Sequence, residues 1–260
     1  MYWVLQENMF REAEWENLVG CLERWKFPYS VHKIVPIEGR LIPELGPVDG
    51  KIICMGAYSV RHTAKRMGWN PGVYDLDGIN FVEQRKHWGE HMLNYDAVVL
   101  PFKEMVLTED DIFVRPIEDS KHFSGQVFYA EKFNEWRKGI CESGDDYGNG
   151  LNPNTLLMMS SPKKIYSEYR YWIINGRIST RSQYKLGHRV IYSPKVDPRI
   201  DDYVSEILHL GVLWLPKAFV LDVCETPNGM RIVEINTINS AGFYAGDVQQ
   251  LVHDLERLES

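Results

Sequence analysis

The sequence predicts a mixed α/β fold in which strands and helices alternate through the first third and hairpins dominate the rest. Three observations carry this reading. Apolar runs such as Tyr2 to Gln6 alternate with helical spacings such as Trp15, Leu18, Val19, Leu22 and Trp25, and strands alternating with helices argue for a parallel sheet. Asn175-Gly176 joins two strand-like segments, Glu168 to Ile174 and Arg177 to Lys185, and Asn-Gly is the strongest short hairpin signal. Pro227-Asn228-Gly229 joins two more, Ala218 to Cys224 and Met230 to Asn236.

In order, the first third reads as a strand Tyr2 to Gln6, the helix through Trp15 and Trp25, and strands Val31 to Pro36 and Lys51 to Met55. A short helix through Val60, Ala64 and Met67 and a buried-type strand Ala97 to Leu100 come next. Prolines 28, 36, 43, 47 and 71 confine the connections to loops. Gly56-Ala57-Tyr58-Ser59 lies between a strand and a helix, where backbone amides could hold an anion; simple strand-to-helix punctuation is the plainer alternative. Trp69 to Asp75 reads as a turn into another short strand.

From about Met105 the pattern changes to hairpins: strands Ile112 to Pro116 and Gln126 to Tyr129, a helix around Trp136, a polar loop from Glu142 to Asn154, and a short strand Leu156 to Met159. Two amphipathic helices complete the chain. One carries Tyr203, Val204, Ile207 and Leu208; the other carries Val248, Leu251, Val252, Leu255 and Leu258 behind Asp247 as N-cap.

With 260 residues, 44% of them hydrophobic, the chain can bury one large core or two small ones and is too apolar to be disordered. Its 36 acidic against 29 basic residues exclude the overall basic footprint of a duplex nucleic-acid binder, although a local basic groove stays open. Cys21, Cys54, Cys141 and Cys224 form no C-x-x-C pair and read as reduced core thiols. No cationic start precedes an apolar core, and no apolar run approaches the roughly 18 residues that span a bilayer. A cytoplasmic protein with no membrane partner is expected.

The C-terminal hairpin carries the most informative chemistry. A three-residue loop with Gly229 left-handed would set Thr226 opposite Met230 and Asp222 opposite Glu234, with Asn236 beside Glu234 on the same face. Facing like charges destabilise a sheet unless a cation lies between them, and hard oxygen ligands suit magnesium. The alternative is a solvated strand face; the Glu-x-Asn spacing and the apolar flanks favour the metal. In the Asn-Gly hairpin, setting Ile174 opposite Arg177 would place Arg170 opposite Arg181 and Glu168 opposite Gln183. One face then carries Glu168, Arg170, Arg177, Arg181 and Lys185. Arg170 against Arg181 is repulsive without an anion, and the alternative is a wet sheet face.

A carboxylate hairpin, a cationic face, and a Ser/Gly loop flanked by Arg115 and Lys121 are together what nucleoside triphosphate chemistry needs. There is no G-x-x-x-x-G-K-[ST] loop and no H-R-D motif.

This order of parts resembles the ATP-grasp superfamily, and is similar to its small, compact members in phage and bacterial genomes. The resemblance runs from about Asp111 to Asp247. It implies an α+β ATP-grasp core in two lobes after an alternating α/β pre-ATP-grasp domain, with boundaries at 1–105 and 106–260, the latter split into an ATP lid lobe 106–162 and a metal-binding lobe 163–260. Phe113-Val114-Arg115-Pro116 looks like the strand that usually carries a phosphate-contacting lysine, here Arg115. Lys121 and Phe123-Ser124-Gly125 resemble the loop over the phosphates, and Met158, Met159, Ser160 and Ser161 the strand that holds the adenine. Glu168-Tyr169-Arg170 with Arg181 is similar to the family's E-x-R hairpin. Asp222, Glu234 and Asn236 correspond to the magnesium ligands, and Asn239, Ser240 and Gly242 to the polar loop near the acceptor.

The resemblance implies ATP and Mg2+ as cofactors and a ligase that activates a carboxylate as an acyl phosphate for an amine or thiol. Asp222, Glu234 and Asn236 would hold two magnesium ions. Arg115, Lys121 and Lys185 would contact phosphates, Arg170 and Arg181 would stabilise the acyl phosphate, and Tyr58-Ser59-Arg61 would help select the acceptor. His122 and His188 are candidate bases. Small-molecule or peptide carboxylates and amines are the expected substrates, for a monomer or homodimer. The rivals are a metal-dependent nuclease on Asp222 and Glu234-x-Asn236, which lacks that core's lysine, and a catalytically silent nucleotide-binding module.

Overall fold

The computed structural model describes residues 1–7, 13–35, 38–118, 123–143 and 150–259. The first elements are β1 (Tyr2–Gln6), α1 (Ala13–Trp25), β2 (Tyr29–Ile34), β3 (Leu41–Ile42), β4 (Ile52–Met55), α2 (Val60–Met67) and β5 (Pro71–Gly72). Next come α3 (Phe81–Trp88), β6 (Val98–Pro101), β7 (Ile112–Pro116), β8 (Gln126–Phe128), α4 (Ala130–Ser143) and β9 (Leu156–Ser160). The chain continues with β10 (Ser167–Ile174), β11 (Arg177–Leu186), β12 (Arg189–Ser193), α5 (Pro198–His209), β13 (Ala218–Thr226), β14 (Gly229–Asn236) and α6 (Val248–Glu259).

Two compact units share these elements, one made of Met1–Asp77 with Ile165–Ser260 and the other of Gly78–Lys164. In the first unit, a sheet ordered β3-β2-β1-β4-β5 is parallel except for β3, as the alternating pattern requires. A second sheet ordered β12-β11-β10-β13-β14 is antiparallel throughout. Trp3 and Leu5 of β1, Leu22 of α1, Leu255 of α6, and Trp172 and Val220 of the second sheet form one core. Trp3 and Trp172 are fully buried, and truncating such a residue to alanine costs about 3–5 kcal/mol. The stripe Val248, Leu251, Val252 and Leu255 builds α6 into this core, and the Asp247 carboxylate accepts from the Gln250 amide as its cap.

In the second unit a sheet ordered β6-β9-β7-β8 is antiparallel throughout and packs against α4. Phe133 and Trp136 reach from α4 into a cluster with Phe102, Phe123 and Phe128. Because β6 pairs with β9 residue for residue, Val98 to Met159 through Pro101 to Leu156, it belongs with the elements C-terminal to it. The contacts therefore divide at Asp77/Gly78 instead of 105/106, and again at Lys164/Ile165.

Helix α3 and strand β12 lie where sequence periodicity is silent. Asn80 starts α3 by accepting hydrogen bonds from the amides of Val82 and Glu83. The amides of Gly56 and Ala57 donate to Asn239 O and Gln6 Oε1, so these two serve as punctuation and are not presented to an anion. All four cysteines are free thiols, three of them buried. Among the described residues, no helix is long and apolar enough to cross a membrane.

Candidate active site

Strands β13 and β14 meet in a tighter turn than three loop residues would give. Thr226 pairs with Gly229, and Pro227 and Asn228 span the turn, with Gly229 at φ 94°. Further on, Asp222 pairs with Glu234 and Val223 with Ile232. Val233 is thus an extra, bulged residue. The bulge offsets the shorter turn, so Asp222 and Glu234 face each other after all, with Asn236 on the same side. The Asn236 amide nitrogen lies 3.2 Å from Asp222 Oδ2 and 3.2 Å from Glu234 Oε1.

Asp222 is 2% exposed, and a carboxylate so placed needs a partner. Arg170, paired with it across β10 and β13, provides one: Nε lies 2.8 Å from Oδ1 and Nη2 2.7 Å from Oδ2. The third donor, Nη1, reaches Gly242 O at 3.4 Å. Burial pushes the Asp222 carboxyl up and Arg170 pulls it back down. Burial alone would lower Arg170, yet the charge and hydrogen bonds of Asp222 raise it. Guanidinium does not deprotonate in proteins, so the pair is ionic. Beside it, Glu168 accepts from Tyr184 at 2.8 Å and pairs with Lys185 at 2.6 Å.

Two carboxylates and an amide are donors of the kind magnesium takes. Arg170 uses one lone pair on each Asp222 oxygen, and an ionised carboxylate has about four acceptor sites, so Asp222 retains capacity. Among the described residues no three His, Cys, Asp or Glu side chains form a metal-holding group. The set therefore depends on Asn236, whose amide oxygen completes a hard-oxygen trio. On this chemistry the residues fit the ion.

A family model for an ATP-grasp domain, the third family of its clade, matches residues 54–255, most of the chain and all of this hairpin. The chain belongs to this ATP-grasp family. Among curated proteins no match is found. Solved ATP-grasp structures share the fold: the ligase PsnB with a minimal precursor is 12% identical with TM-score 0.60, covering 100% of this chain and 99% of that one. D-alanine–D-alanine ligase from Bacillus anthracis with ATP is 12% identical with TM-score 0.60, covering 99% and 96%. A RimK-domain ATP-grasp protein from Sphaerobacter thermophilus is 11% identical with TM-score 0.60, covering 98% of each chain.

In this ATP-grasp chain the second hairpin departs from the expected register. Ile174 does pair with Arg177, but Ile173 pairs with Ile178 and Trp172 with Thr180, leaving Ser179 bulged. Arg170 therefore lies opposite Ser182, and Arg181 opposite Tyr171 on the other face. There Arg181 Nε lies 2.8 Å from Asp201 Oδ1 of α5, which also accepts from Tyr171 OH at 2.8 Å. The expected Arg170–Arg181 face does not form. A second irregularity leaves Tyr184 unpaired, so Glu168 meets Lys185 and not Gln183.

Asn239 is 2% exposed, and its amide is spent on backbone: Nδ2 donates to Cys54 O at 2.6 Å and Oδ1 accepts from Tyr74 N at 2.8 Å. It clasps the loop after β14 to the first sheet. Arg61 is held by Tyr58, Asp75 and Asp77. In the second unit, Arg115 on β7 is half-buried with Nε 3.3 Å from Pro116 O, Met159 lies opposite Val114, and Ser160 donates to Asn94 at 3.1 Å. Ser161, Ser124 and Gly125 are exposed. A Cβ at Gly125 would lie 2.7 Å from the Phe113 ring, which explains the glycine. Lys121 and His122 lie outside the described residues; His188 is exposed at the tip between β11 and β12. Sequence reasoning missed Tyr184, Tyr244 and Asp201. Only the flanking Gly242 and Gly246 hinted at Tyr244.

Proposed function

We propose that this chain is an ATP- and magnesium-dependent ligase that activates a carboxylate as an acyl phosphate and transfers it to an amine or thiol. One observation carries the reading: Asp222, Glu234 and Asn236 converge on one hairpin of an ATP-grasp chain, beside a buried arginine and a Glu168-paired lysine. In the reaction, a carboxylate oxygen bonds to the γ-phosphorus of ATP as the bond to the β–γ bridging oxygen breaks, releasing ADP. The amine nitrogen then bonds to the acyl carbon, phosphate leaves with its oxygen, and the amine proton passes to solvent.

Bound magnesium would supply charge neutralisation on the phosphates; Asp222, Glu234 and Asn236 would hold it. Arg170 keeps Asp222 ionised and oriented, and Lys185 is a cation on the same face, held in reserve by Glu168. Arg115, Ser124, Gly125, Met159, Ser160 and Ser161 are assigned to the nucleotide by the family pattern, as is Lys121. PsnB has been solved with precursor peptide and AMPPNP, and with Mg and ADP, which supports including peptide carboxylates among the candidates.

The test is ADP release with magnesium, screened against pools of carboxylates, peptides and amines, with mass spectrometry of products. Glu234→Gln and Asp222→Asn should abolish metal-dependent ADP formation. Wild-type ADP release by either variant sinks the metal assignment, and ADP with no new bond in any pool sinks the ligase.

A further inference from the structure

We propose that Tyr244 is a positioning residue of this site: its ring fixes the plane of the Arg170 guanidinium, and through Arg170 the orientation of Asp222. The proposal rests on the ligase reading only where metal is concerned. Tyr244 has φ 50°, a left-handed conformation that is a genuine outlier for a bulky residue and clusters at functional sites. It stands between Gly242 and Gly246, so a residue suited to that conformation was close at hand.

The strain is held from every side. Phe243 is 1% exposed and stacks on Trp15 at 6.4 Å. The amide of Ala245 donates to Ser182 Oγ at 3.2 Å, that of Asp247 to Thr180 Oγ1 at 2.6 Å, and that of Gly246 to Phe243 O at 2.9 Å. Gly246 itself abuts Trp172, where a Cβ would lie 2.8 Å from the ring. The loop cannot slide.

The strained residue delivers a ring 4.6 Å from the Arg170 guanidinium carbon, with Tyr184 at 5.8 Å. Tyr192 backs it, stacked at 5.0 Å and 10°. The three nitrogens of Arg170 already point at Asp222 and Gly242 O. Donors fix the in-plane direction of a guanidinium and a facing ring fixes its tilt. Since Asp222 is gripped by a two-pronged fork, its carboxylate plane follows that tilt, and with it the side turned to Glu234 and Asn236.

The experiment compares wild type with Tyr244→Phe and Tyr244→Gly by three measurements: Tm, solvent exchange of the Arg170 Nε proton by NMR in metal-free protein, and Mn2+ affinity with ADP by electron paramagnetic resonance. Tyr244→Phe should match wild type in all three. Tyr244→Gly relieves the left-handed strain, so its Tm should not fall, while Nε exchange accelerates and Mn2+ affinity drops roughly tenfold, as for other residues supporting metal ligands. A lowered Tm with unchanged Nε exchange reduces Tyr244 to packing and overturns the proposal, as does a Tyr244→Phe variant as impaired as Tyr244→Gly. If wild type binds no Mn2+, the metal reading fails, and the exchange measurement still decides the role of Tyr244.

Discussion

Arg170 and Asp222 form a bidentate ion pair on directly paired positions of β10 and β13, 2.8 Å and 2.7 Å long, with the carboxylate 2% exposed. Such a pair is weak evidence for stability as a whole, but breaking it by removing one partner strands a buried charge at a cost of about 3–5 kcal/mol. Arg170→Met should therefore lower unfolding free energy by that order in urea, and Asp222→Leu likewise. The double variant should cost clearly less than the sum, because neither charge is left alone. Additive losses would mean that the two residues act independently.

Arg181 lies on the opposite face, bound to Asp201 and 39% exposed. An exposed pair contributes about 0–1 kcal/mol, and nothing on that face is a phosphate-type site. Arg181→Ala is thus expected to keep ADP formation within about threefold of wild type with a small Tm change, whereas Lys185→Ala, on the Asp222 face, should reduce it far more. A collapse of turnover in Arg181→Ala with Lys185→Ala near wild type would reverse the two assignments.

The contrast between these two cations shows what was legible. Element types followed from periodicity: Tyr2–Gln6 and Ile112–Pro116 are strands over the very residues that read as strands, and the α6 stripe is core. The carboxylate trio was legible because β13 and β14 alternate cleanly and the bulge at Val233 offsets the shorter turn. The Arg181 face was not, because a single bulge at Ser179 inverts every residue beyond it. No composition cue marks a bulge in Ile178-Ser179-Thr180. Tyr244 was hidden for a related reason, since its role depends on backbone conformation and on a ring contact from a loop.

Asn239 reads from sequence as a residue near the acceptor, yet both ends of its amide are bonded to buried backbone, Cys54 O and Tyr74 N. Leaving such groups unpaired costs about 1–3 kcal/mol each, so Asn239→Ala should destabilise by several kcal/mol in chemical denaturation. Asn239→Asp retains the acceptor toward Tyr74 but puts an oxygen against Cys54 O, and should be at least as damaging. A near-neutral Asn239→Ala would show that water replaces the clasp and would make Asn239 a substrate-contacting candidate again.

Glu259 gives the fold a defined acid sensitivity. Its carboxylate accepts from Tyr74 OH at 2.7 Å and pairs with Lys51 at 3.0 Å. Burial pushes its pKa up, but these hydrogen bonds and the lysine outweigh burial and hold it below the ordinary glutamate value. A depressed folded pKa means that the unfolded chain takes up the proton first. The stabilisation is then complete above about pH 4.3, the unfolded value, and is lost as pH falls through the lower folded value. Glu259→Gln should be less stable than wild type at neutral pH, and the gap should close as the pH is lowered below that window in urea titrations at matched ionic strength. A gap that stays constant with pH would show that Glu259 contributes through packing alone.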